Sequence, residues 1–271
     1  MSRRAALHPE VTLSESDGVR YLHLGSPWVQ GAMRTAKPLF VELAYVQRML
    51  AALLWLPTAQ LGQGRAVQLG LGAGALTRFT VRALRMPTTV VEINREVVEI
   101  NARWFHLPSE AEVVVGDAAH WLAQAEPGSV ALLQADLYDE HAAAPVLDDD
   151  TFYEGCRRVL AQTGGVFSVN LFGRDASFSR SIERVARAFG ADQVWSLSPT
   201  REGNTVVVAG RGVVVPGREE LAERAREIER RFGTLGLPAR KWLRMVRPYA
   251  PHNGSSLPRP LTAPVTAPNR A

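Results

Sequence analysis

The chain has 271 residues, 46% of them hydrophobic and 21% charged, with a formal net charge of +4; that is enough apolar surface for one large domain with an appendage, or for two small ones. A single cysteine, Cys156, excludes an internal disulfide and any cysteine-rich zinc module, and the longest apolar stretch, residues 49–56, is too short to span a bilayer. The basic excess belongs to the end of the chain, since residues 211–271 carry +7 against −3 for residues 1–210, and the interval between Arg103 and Arg157 holds eleven carboxylates with no lysine or arginine, which argues against nucleic acid and reads either as a solvated acidic face or, wherever that interval lines a cleft, as a surface for a cationic ligand.

Residues 1–13 contain two arginines with no apolar run behind them, so no signal peptide is expected and a cytoplasmic protein is. Residues 1–37 read as short strands and turns, among them Val19–Leu24, punctuated by Gly25-Ser26-Pro27. A helix is expected over 42–56, with Leu43, Val46, Leu50 and Leu53 at helical spacing and Pro57 as its stop. From there strand and helix alternate: strands at 66–71, 88–93, 112–115, 130–135 and 166–171, helices at 75–84, 96–105, 120–125, 151–160 and 177–189. Thr151 with Glu154 reads as the capping box of the helix carrying Cys156, itself a core position, and Asp148-Asp149-Asp150 as loop and cap ahead of it, favoured by the macrodipole. Strands at 194–198 and 205–209 are joined by a turn at 202–204 too short for a crossover, so that pair is antiparallel. The expected fold is a Rossmann-like, seven-stranded α/β sheet of the methyltransferase type, mostly parallel with an antiparallel last strand, preceded by a small N-terminal β region. Domain bounds follow as 1–56 for the β region and first helix, 57–210 for a nucleoside-binding catalytic domain, 211–247 for a helical extension and 248–271 for a disordered tail. The extension's helix at 219–232 alternates Glu and Arg and reads as exposed and weakly tied to the core.

The first chemistry-bearing element is Gly70-Leu71-Gly72-Ala73-Gly74-Ala75, between a strand and a helix, where glycines let backbone N–H groups approach a ligand at a helix start. By itself it also fits the dinucleotide form G-x-G-x-x-A. Glu92 then ends the next strand, Asp117 the third and Asp136 the fourth, and strand carboxyl ends are where an open α/β sheet binds its ligand. Hydride transfer has no need of that many carboxylates; a nucleoside with a cationic centre uses acceptors for its hydroxyls and amino group and an acidic wall for the cation.

Residues 67–208 resemble a methyltransferase-type fold and, within it, the spermidine synthase (polyamine aminopropyltransferase) family. The run Arg20-Tyr-Leu-His-Leu-Gly-Ser-Pro-Trp-Val-Gln-Gly-Ala-Met is similar to that family's N-terminal strands, and Tyr45-Val-Gln-Arg-Met49 to its Y-x-E-M helix with one extra residue. Asp136-Leu-Tyr-Asp139 takes the place of its D-S-S-D motif, and Thr151-Phe-Tyr-Glu and Gly164-Gly-Val-Phe-Ser-Val-Asn match the helix and strand that follow. The resemblance implies aminopropyl transfer from decarboxylated S-adenosylmethionine, a co-substrate, to putrescine or another small amine, with no metal, in a homodimer. It implies Asp136 as base, Asp139, Tyr45 and Tyr138 on the amine, and Gly70, Gly72, Gly74, Glu92, Asp117 and Gln30 on the donor, with Glu92 at the ribose, Asp117 at the adenine and Gln30 at the aminopropyl tail.

Three positions depart from the pattern. Ala73 stands where the family loop carries an aspartate, Glu140-His-Ala-Ala-Ala-Pro follows the acid pair in place of P-x-G-P, and Arg48 stands for the Y-x-E-M glutamate. They keep two alternatives open: methyl transfer from S-adenosylmethionine itself, with Ala73 leaving room for a donor carboxylate, and a non-catalytic nucleoside-binding homologue. His23, His106, His120 and His141 show no metal-ligand spacing.

Overall fold

The computed structural model describes residues 9–137, 147, 149–172 and 176–251. Three strands, β1 (Val11–Ser16), β2 (Val19–Leu24) and β3 (Val29–Arg34), pair as an antiparallel meander. The main sheet comprises β4 (Ala66–Leu69), β5 (Thr88–Glu92), β6 (Glu112–Val115), β7 (Leu132–Ala135), β8 (Gly165–Phe172), β9 (Val194–Leu197), β10 (Asn204–Arg211) and β11 (Val246–Pro248), in the order β6-β5-β4-β7-β8-β10-β9-β11. The first five of that order are parallel, and β10, β9 and β11 each run antiparallel to the preceding neighbour. The fold is therefore α/β and mostly parallel as expected, with eight strands in place of seven. The eighth is β11, three residues too short to show an alternation, with Pro248 tolerated because the strand lies at the sheet's edge.

Successive strand residues face opposite sides of the sheet, so Ala66, Leu132, Val166 and Val206 enter one core and Val67, Leu133, Phe167 and Val207 the other. The first core is closed by α1 (Ala44–Met49), α2 (Ala75–Arg78), α7 (Arg218–Phe232) and α8 (Ala239–Trp242), the second by α4 (Ala118–Gln124), α5 (Asp150–Val159) and α6 (Ala176–Phe189). A third, smaller cluster joins Leu22 and Met33 of the meander to Leu71 and Ala73 of the glycine loop and to Val97 and Phe105 at α3 (Arg95–Trp104).

Several elements differ from the sequence expectation. The helix over 42–56 stops at Met49 and continues as a 3₁₀ turn, Leu50–Trp55, all six residues of it buried. The helix over 75–84 is α2 followed by a π turn at Phe79–Ala83; there the Thr80 hydroxyl bonds back to the carbonyls of Leu76 and Thr77 (3.1 and 3.2 Å) and competes with the regular ladder. The cap of α5 is Asp149, which accepts from the Thr151 N–H (2.9 Å) and hydroxyl (2.7 Å), so Thr151 lies inside the first turn. The helix expected to be weakly tied, α7, buries Ala225, Ile228 and Phe232, and its Arg224 donates to the Leu54 carbonyl (3.1 Å) of the 3₁₀ turn. The expected tail overlaps β11 at Pro248 and, from residue 252, lies outside the described residues.

Candidate active site

Strand order makes β6, β5, β4 and β7 neighbours, so Asp117, Glu92, the glycine loop and Asp136 stand side by side along the carboxyl edge of the sheet. Gly70 takes φ 92°, and a Cβ there would lie 2.2 Å from the Asp136 carbonyl oxygen; only glycine lets these two strand ends approach so closely. The Glu92 carboxylate is buried and accepts the N–H groups of Leu71 and Asn94, both at 2.9 Å, which fixes the loop to the end of β5. Asp117 is exposed, two residues past β6, and caps α4 by accepting the His120 N–H at 2.8 Å. Half-exposed Ile93 and Val115 (51% and 40%) lie beside these two acids and leave apolar surface at the strand ends.

The meander roofs this edge. The backbone of β3 meets the loop at Gly31, where a Cβ would stand 2.5 Å from the Cβ and N of Ala73. Ala73 is buried in that contact, 3% exposed. The room that Ala73 was expected to leave for a donor carboxylate is thus filled by β3, because the missing side chain is matched by a missing side chain opposite.

Between roof and sheet lies a cavity of about 580 Å³, walled by Gln30, Glu42, Tyr45, Asp136, Glu202 and Asn204, with the rings of Tyr21 and Trp28 at its N-terminal side. Asp136 follows β7 immediately and is half-buried in the wall. The Asn170 amide, on β8, donates to Asp136 Oδ1 and to Asn204 Oδ1, both at 3.0 Å. The Tyr45 hydroxyl lies between the Gln30 carbonyl (3.2 Å) and the Asp136 carboxylate, its one proton serving either. Burial pushes the Asp136 carboxyl above the usual carboxylate range, while the hydrogen bonds from Asn170 and Tyr45 pull it down.

Gln30, Tyr45 and Asp136 therefore meet in one cavity, whereas Glu92 and Asp117 lie farther along the same edge and do not line it. Tyr138 and Asp139 lie outside the described residues. Arg48, which stands for the Y-x-E-M glutamate, does not line the cavity: its Nη1 donates to the Ser198 carbonyl (2.6 Å), and it faces Glu202, whose carboxyl is held low chiefly by backbone and Thr200 hydrogen bonds and further by Arg48 and Arg201. Sequence reasoning missed Glu42, Asn170, Glu202 and Asn204. Asn170 lies in the Gly164–Asn170 motif with no role of its own in the sequence, and Glu202 lies in the turn between β9 and β10 while Asn204 opens β10, at positions where acids and amides ordinarily read as turn formers.

A mostly parallel α/β sheet with a glycine loop and acids at its carboxyl edge, under an N-terminal β meander, defines a methyltransferase-like domain. No protein-family model matches the chain. It is 33% identical over 230 residues to the polyamine aminopropyltransferase of Chromobacterium violaceum, covering 83% of this chain and 85% of that one, and the chain belongs to the polyamine aminopropyltransferase family. Among solved structures it is similar to a probable spermidine synthase from Corynebacterium glutamicum (TM-score 0.70, 19% identity, 92% of this chain and 95% of that one). It also resembles human methyltransferase-like protein 13 (TM-score 0.59, 20% identity, 80% and 98%).

Proposed function

We propose that the chain transfers an aminopropyl group from decarboxylated S-adenosylmethionine to putrescine or another small amine. The observation that carries this reading is Asp136, a half-buried carboxylate hydrogen-bonded to Asn170 and Tyr45 in a cavity with further carboxylates and aromatic rings on its walls. An amine reaches such a site as an ammonium with no lone pair. Asp136 takes one proton, and its raised affinity for protons suits it to that step. The freed nitrogen attacks the carbon next to the sulfonium, the C–N bond forms as the C–S bond breaks, and the electron pair of the broken bond stays on sulfur as methylthioadenosine leaves. Glu42 and Glu202 supply anionic anchors for a second ammonium, and the rings of Tyr21, Trp28 and Tyr45 cover its methylene chain. Asp139 and Tyr138 complete the amine site in this proposal, and Gln30, Glu92, Asp117 and the loop glycines hold the donor.

Methyl transfer loses the support it drew from Ala73, which is packed against Gly31. We assign the donor to residues 57–210 and the roof of the site to residues 1–56, with 211–247 as a buttress. A cytoplasmic homodimer belongs to the same proposal, and light scattering on the purified protein tests its mass. The deciding experiment is a mass-spectrometric product assay on the protein with S-adenosylmethionine, its decarboxylated form and a panel of diamines and polyamines. Methylthioadenosine formed only when decarboxylated donor and an amine are both present is the expected result; S-adenosylhomocysteine in its place would establish methyl transfer, and neither product would overturn both enzymatic readings.

A further inference from the structure

Arg78 is the last residue of α2 and one of the largest fully buried side chains, 2% exposed. No carboxylate is among its partners in the described residues. Its Nε donates to the Pro38 carbonyl (2.8 Å) and its Nη1 to the carbonyls of Ala73 (2.6 Å) and Phe105 (2.7 Å), while Nη2 has no partner among the described residues. Burial lowers its pKa to about 10, so it stays charged at neutral pH. An interior cation balanced only by carbonyl dipoles is a costly group.

Its three carbonyls come from three segments far apart in sequence: the lead-in to the Tyr45 helix, the glycine loop, and Phe105, the C-cap of α3. Asn101, fully buried on α3, makes the neighbouring contact. Its amide donates to the Gly72 carbonyl (2.7 Å) and to Val97 within the helix (2.9 Å). Two consecutive carbonyls of the loop, Gly72 and Ala73, are therefore gripped by two buried side chains, while the loop's Leu71 N–H is held by Glu92. A loop so restrained has its ligand-facing conformation fixed before the ligand arrives, and the ordering cost of binding falls.

We infer that Arg78 and Asn101 are positioning residues that lock the glycine loop in its nucleoside-binding shape and couple it to the lead-in at Pro38 and to the end of α3. This rests on the nucleoside reading of the loop. It requires neither residue to touch the donor.

The test is direct binding of methylthioadenosine and of S-adenosylhomocysteine by calorimetry, with thermal melts to establish the folded fraction. Folded Arg78→Met and Asn101→Ala proteins should bind the nucleoside on the order of tenfold more weakly, as expected for losing a hydrogen bond to a buried carbonyl. Arg78→Lys, which keeps the charge but reaches fewer carbonyls, should recover part of the affinity. A merely structural role would lower the melting temperature and leave the affinity of the folded protein unchanged, and wild-type affinity in either folded variant overturns the inference. Should neither variant fold, hydrogen exchange on the wild-type protein decides: protection on nucleoside binding that extends from residues 70–74 to 105–107 supports the coupling, and protection confined to the loop overturns it. Failure of the wild-type protein to bind either nucleoside overturns this inference and the proposed function together, whereas binding of S-adenosylhomocysteine alone tells against aminopropyl transfer and leaves the clamp to be judged on that ligand.

Discussion

A carboxyl whose pKa is raised by folding holds its proton more tightly in the native chain than in the unfolded one. Asp136 is such a group. Its contribution to stability is present while it is protonated and is lost as pH rises through its native pKa, above the ordinary carboxylate range. Asp136→Asn should therefore be more stable than the wild-type protein at neutral pH, and the difference in melting temperature should vanish in acid. Turnover by the same variant should fall by roughly 10²–10⁴ if Asp136 is the base; activity within about tenfold of wild type would remove it from that role. Asn170 makes the complementary case. Its hydrogen bond favours the charged form of Asp136, so Asn170→Leu should move the acid limb of the kcat profile to higher pH, while an unmoved limb would assign that limb to another group.

Between elements, the decisive contact is backbone to backbone, where β3 lies on the glycine loop. Gly31→Ala would place a methyl 2.5 Å from the Ala73 Cβ and N, and atoms of a main chain cannot swing aside as the end of a long side chain can. The roof must lift, at about 1–3 kcal/mol, and since the roof carries Gln30, KM for donor and amine should both rise; steady-state kinetics with wild-type constants would show that the roof adjusts without cost to the site. This contact also marks the limit of sequence reading. Strand ends bearing Glu92, Asp117 and Asp136 are legible because short apolar and β-branched runs bounded by turn residues announce each strand, and the α/β alternation makes their edge common. Gly31 against Ala73 is not legible, because each residue is unremarkable until topology lays one over the other. The π turn after α2 is hidden for a related reason: its apolar spacing suits a regular helix, and the Thr80 back-bonds that disturb it have no sequence period.

At the scale of the whole molecule, the described part of the basic C-terminal segment, residues 211–251, joins the core rather than hanging from it as an appendage. Its dense charges concealed a narrow seam, Leu221, Ala225, Ile228 and Phe232, spaced four, three and four apart. That seam belongs to the same cluster as the 3₁₀ turn Leu50–Trp55, whose apolar run has no polar face because sheet and α7 cover it from both sides. Phe232 meets Phe79 of the π turn edge to face at 5.2 Å, and β11 then closes the sheet beside β9. The helix thus stands behind the elements that present both halves of the site, α1 with Tyr45 and α2 with the end of the glycine loop. Ile228→Ala, which empties a fully buried position, should cost about 2–5 kcal/mol of global stability. In a two-state urea titration its midpoint should fall with little change in slope, and the protein that remains folded should keep its KM values. An unfolding free energy within about 0.5 kcal/mol of wild type would return α7 to the exposed, weakly tied helix that its charge pattern suggests.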